Sequence, residues 1–419
     1  MLKPERTFMK RNTKVAVSGI AGVALLASLA ACGSAGGQED DTIEIWYRPG
    51  SLPSAAVDGV EAQFPDVKIK LVETPDVDTK LTSALRSGSG VPDVAVALLS
   101  QYTNVTDKFA DVNEYGFEDA AGDYLDWKLE MGQDEDGRQI GVPIDIGPFG
   151  FFYRADVFEQ AGLPTDPDDV GELVADWDGY RSVAEKVKAS TGSYLCDAPS
   201  AAYVAQRLQA GYYYATDDGQ YAPDEQINRD AFLSAFGLGE AGLCLNVELW
   251  TPEWSAGIAQ NQLTGWVGPS YVAASMTSAG GDGAGQWRVT TPPGGPASQF
   301  GSFLSVFESS NDPQTAVDIA RWLTNAENQA AGYADDSLFP STPASYDMPE
   351  MTEPDEFYGG QVPAEVLGQV AEASPRLVII PQSDKAAAAF GSVLDQTVAS
   401  GGDAEEAYSS GLEQAEALG

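Results

Sequence analysis

Thr42-Ile43-Glu44-Ile45-Trp46-Tyr47 alternates apolar and polar side chains with the two-residue period of a half-buried strand, and Arg48-Pro49-Gly50-Ser51 closes it as a turn. The pattern then predicts a helix over Ser54 to Phe64, a strand over Val67 to Val72, a helix over Thr79 to Ser87 and a strand over Asp93 to Leu99. This last strand is apolar throughout, as a strand covered on both faces must be. The same grammar returns with Gly150 to Tyr153 as a strand and helices over Ala155 to Ala161 and Gly179 to Ser190. Phe303 to Phe307 reads as a strand, Pro313 to Asn325 as an amphipathic helix, and helices over Ser383 to Ser400 and Ala404 to Leu418 close the chain. Strand and helix alternate, so the fold class is α/β, and no internal repeat emerges. Open sheets of this class bind ligands beyond the carboxyl ends of their strands. The segments Arg48 to Ser51, Ser100 to Tyr102 and Asp145 to Phe149, all read as loops, are therefore where polar chemistry is sought.

The chain has 419 residues, 43% of them hydrophobic, which is enough for a sizeable core and too long for one ordinary domain. Lys and Arg number 23 against 63 Asp and Glu, a formal net charge of −40, so nucleic acid is excluded as a partner and anionic lipid surfaces are disfavoured. There is no His, which removes Ser-His-Asp and Cys-His catalysis and every His-containing zinc site. With 3 Cys a four-thiolate metal site is also out of reach. Neither metal nor cofactor is called for, and the chemistry left is that of carboxylates, hydroxyls, amides and aromatic rings.

Lys3, Arg6, Lys10, Arg11 and Lys14 precede an apolar or small-residue run from Val15 to Ala31, which ends in Leu29-Ala30-Ala31-Cys32-Gly33-Ser34. This arrangement resembles the lipobox of bacterial lipoproteins. The resemblance implies a signal peptide over 1–31, lipidation of Cys32, a flexible tether over 32–41, and a protein held on the extracellular face of the cell membrane through its lipid anchor alone. The alternatives are a plain secretory signal and an N-terminal anchor helix. Outside the membrane is an oxidising place, and two cysteines remain once Cys32 is lipidated, so Cys196 and Cys244 are expected to pair; the alternative is two buried free thiols.

Five segments carry a wider likeness: Ile43-Glu44-Ile45-Trp46; Leu85-Arg86-Ser87-Gly88 leading to Val91-Pro92-Asp93-Val94; Gly141-Val142-Pro143 through Phe152-Tyr153-Arg154 to Ala161-Gly162-Leu163-Pro164; Gly265-Trp266-Val267-Gly268-Pro269; and Pro292-Pro293-Gly294-Gly295 through Ser305 to Arg321-Trp322-Leu323. In this order, behind a lipobox, the chain resembles the extracellular solute-binding proteins of carbohydrate ABC importers, the group that includes maltose-binding protein. The resemblance implies a two-lobed fold of the periplasmic-binding-protein type II kind, with a ligand cleft between lobes that close by hinge motion. It places the first crossover near Asp145 to Gly147 and the second near Ser298 to Ser302. The N-terminal lobe would hold 42–145 plus 302–340, and the C-terminal lobe 146–297 plus 341–419. The partners implied are a carbohydrate ligand and the permease subunits of an ABC importer, met by a monomer.

Carried over position by position, the likeness assigns ligand contacts to Arg48, Gly50 and Ser51 in the first strand-end loop, Ser100 and Gln101 in the third, and Asp145 at the crossover. Asp197, Ser270 and Tyr271, with Phe149, Trp266 and Ser302, complete the set. Carboxylates and guanidinium forks suit vicinal hydroxyls, and aromatic faces suit the C–H face of a pyranose. The sequence also departs from the maltodextrin binders, because Pro381-Gln382 is followed by Ala386 to Ala389 where an aromatic ring is wanted, and the ring of the third strand falls at Ala97 or Leu98. Tyr212, Tyr213, Tyr214, Trp250 and Trp254 are other platforms or else lobe core.

A lipid-anchored glycoside hydrolase with a carboxylate pair is the rival reading, and a peptide- or metal-binding lipoprotein a third. With so many acids some pair exists at nearly any spacing, so clusters such as Asp134-Glu135-Asp136 are solvated loops by default. The anchoring expectation has a direct check. Cys32→Ser is expected to move the protein from the membrane fraction to the medium; a variant that stays membrane-bound with its leader intact would refute the lipobox.

Overall fold

The protein is described by a computed structural model over residues 42–280 and 283–419. The leader, Cys32 and the whole of the tether therefore lie outside the described residues. The described residues form ten strands: β1 (Thr42–Tyr47), β2 (Lys68–Glu73), β3 (Val94–Ala97), β4 (Val142–Pro143), β5 (Asp145–Arg154), β6 (Gly265–Pro269), β7 (Trp287–Thr290), β8 (Ser298–Gln299), β9 (Phe303–Val306) and β10 (Phe339–Pro340). They make two sheets, the first in the order β2-β1-β3-β9-β4 and the second in the order β10-β5-β6, with β7 and β8 also on β5.

In the first sheet β1 runs parallel to β2 and β3, linked by the helices Ser54–Gln63 and Val77–Ser87, so the predicted strand and helix alternation becomes strand–helix–strand crossover units. The period of two is visible in the packing. Ile43, Ile45, Val94, Val96, Leu304 and Val306 join Val317 and Ala320 of the helix Pro313–Leu323 in one core. Trp46, Ala95, Ala97 and Phe303 face the other way, into the larger core that continues through the second sheet. The helix Pro313–Leu323 starts where the sequence says it should: Asp312 accepts from the Thr315 N–H, and Pro313 occupies the first turn, where no N–H is needed.

The second sheet departs from expectation. Its partners all run antiparallel to β5, and β5 itself is a ten-residue strand, buried along its whole length, that begins at Asp145. The segment Asp145 to Phe149 is therefore strand and not loop. Gly147 and Pro148 read locally as a turn, but Gly147 is opposite Gln299 and Pro148 opposite Ser298, while Asp145 and Ile146 face Pro340 and Phe339. Pairing with distant residues overrides the local signal. At the other end Phe152 stacks on Trp266 of β6 at 4.4 Å with ring planes 10° apart, while Phe151 and Tyr153 point to the opposite face and meet Phe158.

Helices not foreseen fill the second half, among them Pro199–Gln209, Gln226–Glu240, Pro252–Ala259, Ala326–Asp336 and Pro363–Ala373. Gln226–Glu240 is hidden in the sequence by two glycines. Gly239 is there because a Cβ would sit 2.7 Å from Val398 and 2.8 Å from Pro199, so it marks close helix packing and not a break. Tyr212, Tyr213, Tyr214 and Trp254 are buried and belong to the core. No helix among the described residues is long and apolar enough to cross a membrane.

Cys196 and Cys244 form the expected disulfide, closing a loop with a sequence separation of 48. The Leu245 N–H donates to the Cys196 carbonyl at 2.8 Å and the Val247 N–H to the Asp197 carbonyl at 3.0 Å, so the sulfur bridge and a short backbone ladder hold the same two segments. Replacing both cysteines by alanine is expected to lower unfolding free energy by about 4 kcal/mol through the lost constraint on the unfolded chain. Urea titration measures this, and two freely alkylated thiols in the non-reduced protein would refute the bond.

Candidate functional site

The chain passes from the first sheet to the second at Ile144, between β4 and β5, and returns between β8 and β9. At this crossing the Asp145 carboxylate accepts the Ser302 N–H at 2.7 Å, and the Ser302 carbonyl accepts the Ile144 N–H at 3.1 Å. Asp145 is 6% exposed. Gly301, at φ 64°, lies so close to the Asp145 backbone that any Cβ would overlap its carbonyl, so only glycine can make the return.

The turn after β1 faces this crossing. Ser51 Oγ accepts the Arg48 N–H at 3.0 Å and donates to the Arg48 carbonyl at 2.8 Å, with Gly50 in the left-handed region at φ 68°. The guanidinium is thereby aimed: Nη1 donates to both oxygens of Asp78 at 3.1 and 3.2 Å, and Nη2 to Ser302 Oγ at 3.3 Å. Tyr102 stands behind Asp78, its hydroxyl 3.4 Å from the Asp78 carbonyl, and burial together with that carboxylate pushes its phenol up to about 12. Arg48, Ser51, Asp145 and Ser302, four of the predicted residues, are thus brought into one connected cluster from three remote segments.

Tyr271 joins it from the second sheet. Its hydroxyl donates to Gln299 Oε1 at 2.7 Å, its ring packs on Gly147, where a Cβ would come within 2.6 Å, and burial with the Asp145 charge raises its pKa. Trp250 lies parallel to Tyr271, with centroids 6.4 Å apart and planes 11° apart. It is 59% exposed and has φ 69°, a conformation that a bulky side chain adopts only when the surroundings hold it there. Thr251 provides part of that hold, its hydroxyl donating to the Glu248 carbonyl at 2.6 Å. Ser270, next to Tyr271, is 4% exposed and its Oγ has no partner among the described residues.

Five predicted residues lie elsewhere. Phe149 and Trp266 are core of the second sheet, 2% and 1% exposed. Asp197 is 3% exposed; Oδ1 accepts the Ala198 N–H at 2.8 Å and Oδ2 the Trp254 Nε1–H at 3.3 Å. Burial pushes its carboxyl up to about 6 against the lowering effect of those bonds. Ser100 and Gln101 sit in a tight turn after β3. Ser100, alone of the predicted set, lines a cleft of about 540 Å³ between the Leu99–Thr106 turn and Glu130–Ile140 on one wall and Asp217–Gln220 and Arg376–Pro381 on the other. The residues that sequence reasoning missed are Asp78 and Gln299, whose partners are 30 and 28 positions away and leave no local signal. Among the described residues no cluster of His, Cys, Asp or Glu is arranged to hold a metal ion.

Comparison with known proteins gives the family. The lactose-binding protein of Rhizobium radiobacter is 25% identical over 373 residues, covering 81% of this chain and 83% of its own. An arabinooligosaccharide-binding protein of Halalkalibacterium halodurans is 27% identical over 176 residues, 40% of this chain and 38% of its own. Among solved structures, an extracellular solute-binding protein of family 1 superposes with a TM-score of 0.83 at 26% identity, covering 90% of this chain and 98% of the other. The sugar-binding protein MalE of Xanthomonas citri superposes with a TM-score of 0.73 at 16% identity, over 90% and 97%, and shares the two-lobed fold. These relatives are binding proteins and not enzymes. With residues 55–358 matching the model of the bacterial extracellular solute-binding protein, the chain belongs to that family.

Proposed function

We propose that this protein captures an uncharged sugar or oligosaccharide between its two lobes and delivers it to an ABC-type importer. The observation that carries the reading is the meeting of a polar fork with an open aromatic face. Arg48, Asp145 and Ser302 gather where the sheets cross, beside the parallel pair Trp250 and Tyr271, whose outer ring is exposed. Hydroxyls of a pyranose suit the first and its C–H face the second. Relatives named for lactose and arabinooligosaccharides support the ligand class. Lipid anchoring at Cys32 on the extracellular face belongs to the same reading, as do lobes over 42–145 plus 302–340 and 146–297 plus 341–419.

The glycosidase alternative finds no support at the crossing. Such an enzyme needs two carboxyl groups flanking a bond, free to give a proton and to attack. Here Asp78 is held by Arg48 and Asp145 is held by the Ser302 amide.

Trp250 separates affinity from stability. Removing the indole is expected to weaken the sugar that a thermal-shift panel of lactose, galactobiose and arabinobiose identifies by about tenfold, about 1.4 kcal/mol. Trp250→Gly and Trp250→Ala should lose affinity equally, yet the glycine variant should be more stable by about 1 kcal/mol because it alone relieves the left-handed backbone. Calorimetric titration and urea unfolding of both variants test this, and unchanged affinity would place the site elsewhere.

A further inference from the structure

Lys128 is fully buried in a chain that keeps most of its charge on the surface. It belongs to the short helix Asp126–Glu130, which is tied to its surroundings on every side. The Leu125 N–H donates to the Ser341 carbonyl at 2.9 Å, Trp127 Nε1–H to the Ala371 carbonyl at 2.9 Å, and Glu130 pairs with Arg376 at 3.0 Å. Lys128 Nζ donates to the Phe300 carbonyl at 2.6 Å and lies 3.5 Å from the centre of the Phe303 ring. Phe300 and Phe303 flank Gly301-Ser302, so this ammonium grips the return crossover at the point where it leaves the second sheet. On the far side Phe300 packs edge-on against Tyr213 at 4.8 Å, and the Tyr213 hydroxyl donates to Asp384 at 2.7 Å.

We propose that Lys128 is a positioning residue of the hinge, whose charge fastens the return crossover to the first lobe and whose loss of charge frees it. This rests on the crossing of the two sheets and is independent of which ligand binds. The groups facing the ammonium are few. Asp145 on β5 favours its charged form, Asp126 and Glu130 share its helix, Glu130 being turned to Arg376, and Arg48 reaches the crossover only through Ser302. No carboxylate among the described residues stands within 4.0 Å of Nζ, so a carbonyl and a ring face are what hold the charge. Burial pulls its pKa down to about 7, partly offset by Asp145. With no His in the chain and the Cys196–Cys244 pair bonded, few other groups titrate near neutrality.

The sign separates this from a merely structural role. The pKa is depressed in the fold, so below about 7 the folded state carries the cost of a buried charge, and between about 7 and 10.5 the unfolded chain binds more protons. Overall stability therefore rises with pH across that window. The crossover should do the opposite, because an uncharged amine donates to the Phe300 carbonyl more weakly than an ammonium.

Hydrogen exchange of the full chain, read on the peptide spanning 297–304 and corrected for chemical rate, tests the idea. From about pH 6 to about pH 8.5 exchange there should quicken about fivefold while the β3 peptide stays unchanged or slows. In Lys128→Met the same peptide should exchange at the fast level at both pH values. A flat wild-type profile, or a methionine variant that keeps the pH dependence, overturns the proposal. Should Lys128→Met fail to fold, the wild-type series decides alone, with the Lys128 side-chain titration followed by NMR as its companion.

Discussion

The two segments that cross between the sheets are aligned where the Asp145 carboxylate accepts the amide of Ser302 from 157 residues away. Closing a flexible loop of that length costs about 4.5 kcal/mol, more than the roughly 1.5–3 kcal/mol a hydrogen bond to a charged group contributes. The bond therefore does not bring the segments together; the cores on either side do. What it decides is alignment. With Gly301 leaving no space for a Cβ and β5 paired to both β8 and β10, a shift of one residue would turn every β5 side chain to the wrong face. The position of Arg48 relative to Ser302, and of Tyr271 relative to Gln299, follows from that alignment.

How much could be read in advance depended on whether the deciding contact was local. β1 was legible because Ile43 and Ile45 bury one face with a period its own sequence displays, and β3 because a short run that is apolar throughout reads as a strand covered on both faces. The helix Ser383–Ser400 was legible because its alanine-rich run outweighs the single Gly391 within it and Gly401 stops it in the left-handed region at φ 71°. The first half of β5 was not, because Gly147 and Pro148 signal a turn and their partners lie far along the chain. The same division holds at the site. Arg48 stood out as a rare cation in a strand-end loop, whereas its partner Asp78 is one acid among many. Phe149 and Trp266 were assigned by family position, and the fold uses both as core.

Charge shows a further division that composition conceals. A net charge of −40 describes the surface, while several of the few cations are spent inside. Arg207 is fully buried, 4.5 Å from the ring centres of Tyr203 and Tyr214 and 5.5 Å from that of Tyr213, with its guanidinium nitrogens unpartnered among the described residues. Arg154 is clamped by Asp156 and Asn261. These side chains balance the interior and are not offered to solvent.

That division bears on what the cleft can accept. Its walls carry Asp134, Glu135, Asp217 and Asp218, and the cation among its lining residues, Arg376, is paired with Glu130. An anionic solute entering there would meet a field of its own sign over a range of about 8 Å at physiological salt, with no free cation to offset it. An uncharged solute meets no such penalty and gains from hydrogen bonds, which salt screens little. At the crossing, Arg48 is partly neutralised by Asp78, so what it presents to a ligand is a directed pair of N–H donors more than a net charge. Such a directed donor pair suits hydroxyl groups, and the acidity of the neighbouring cleft works against anionic competitors before contact is made.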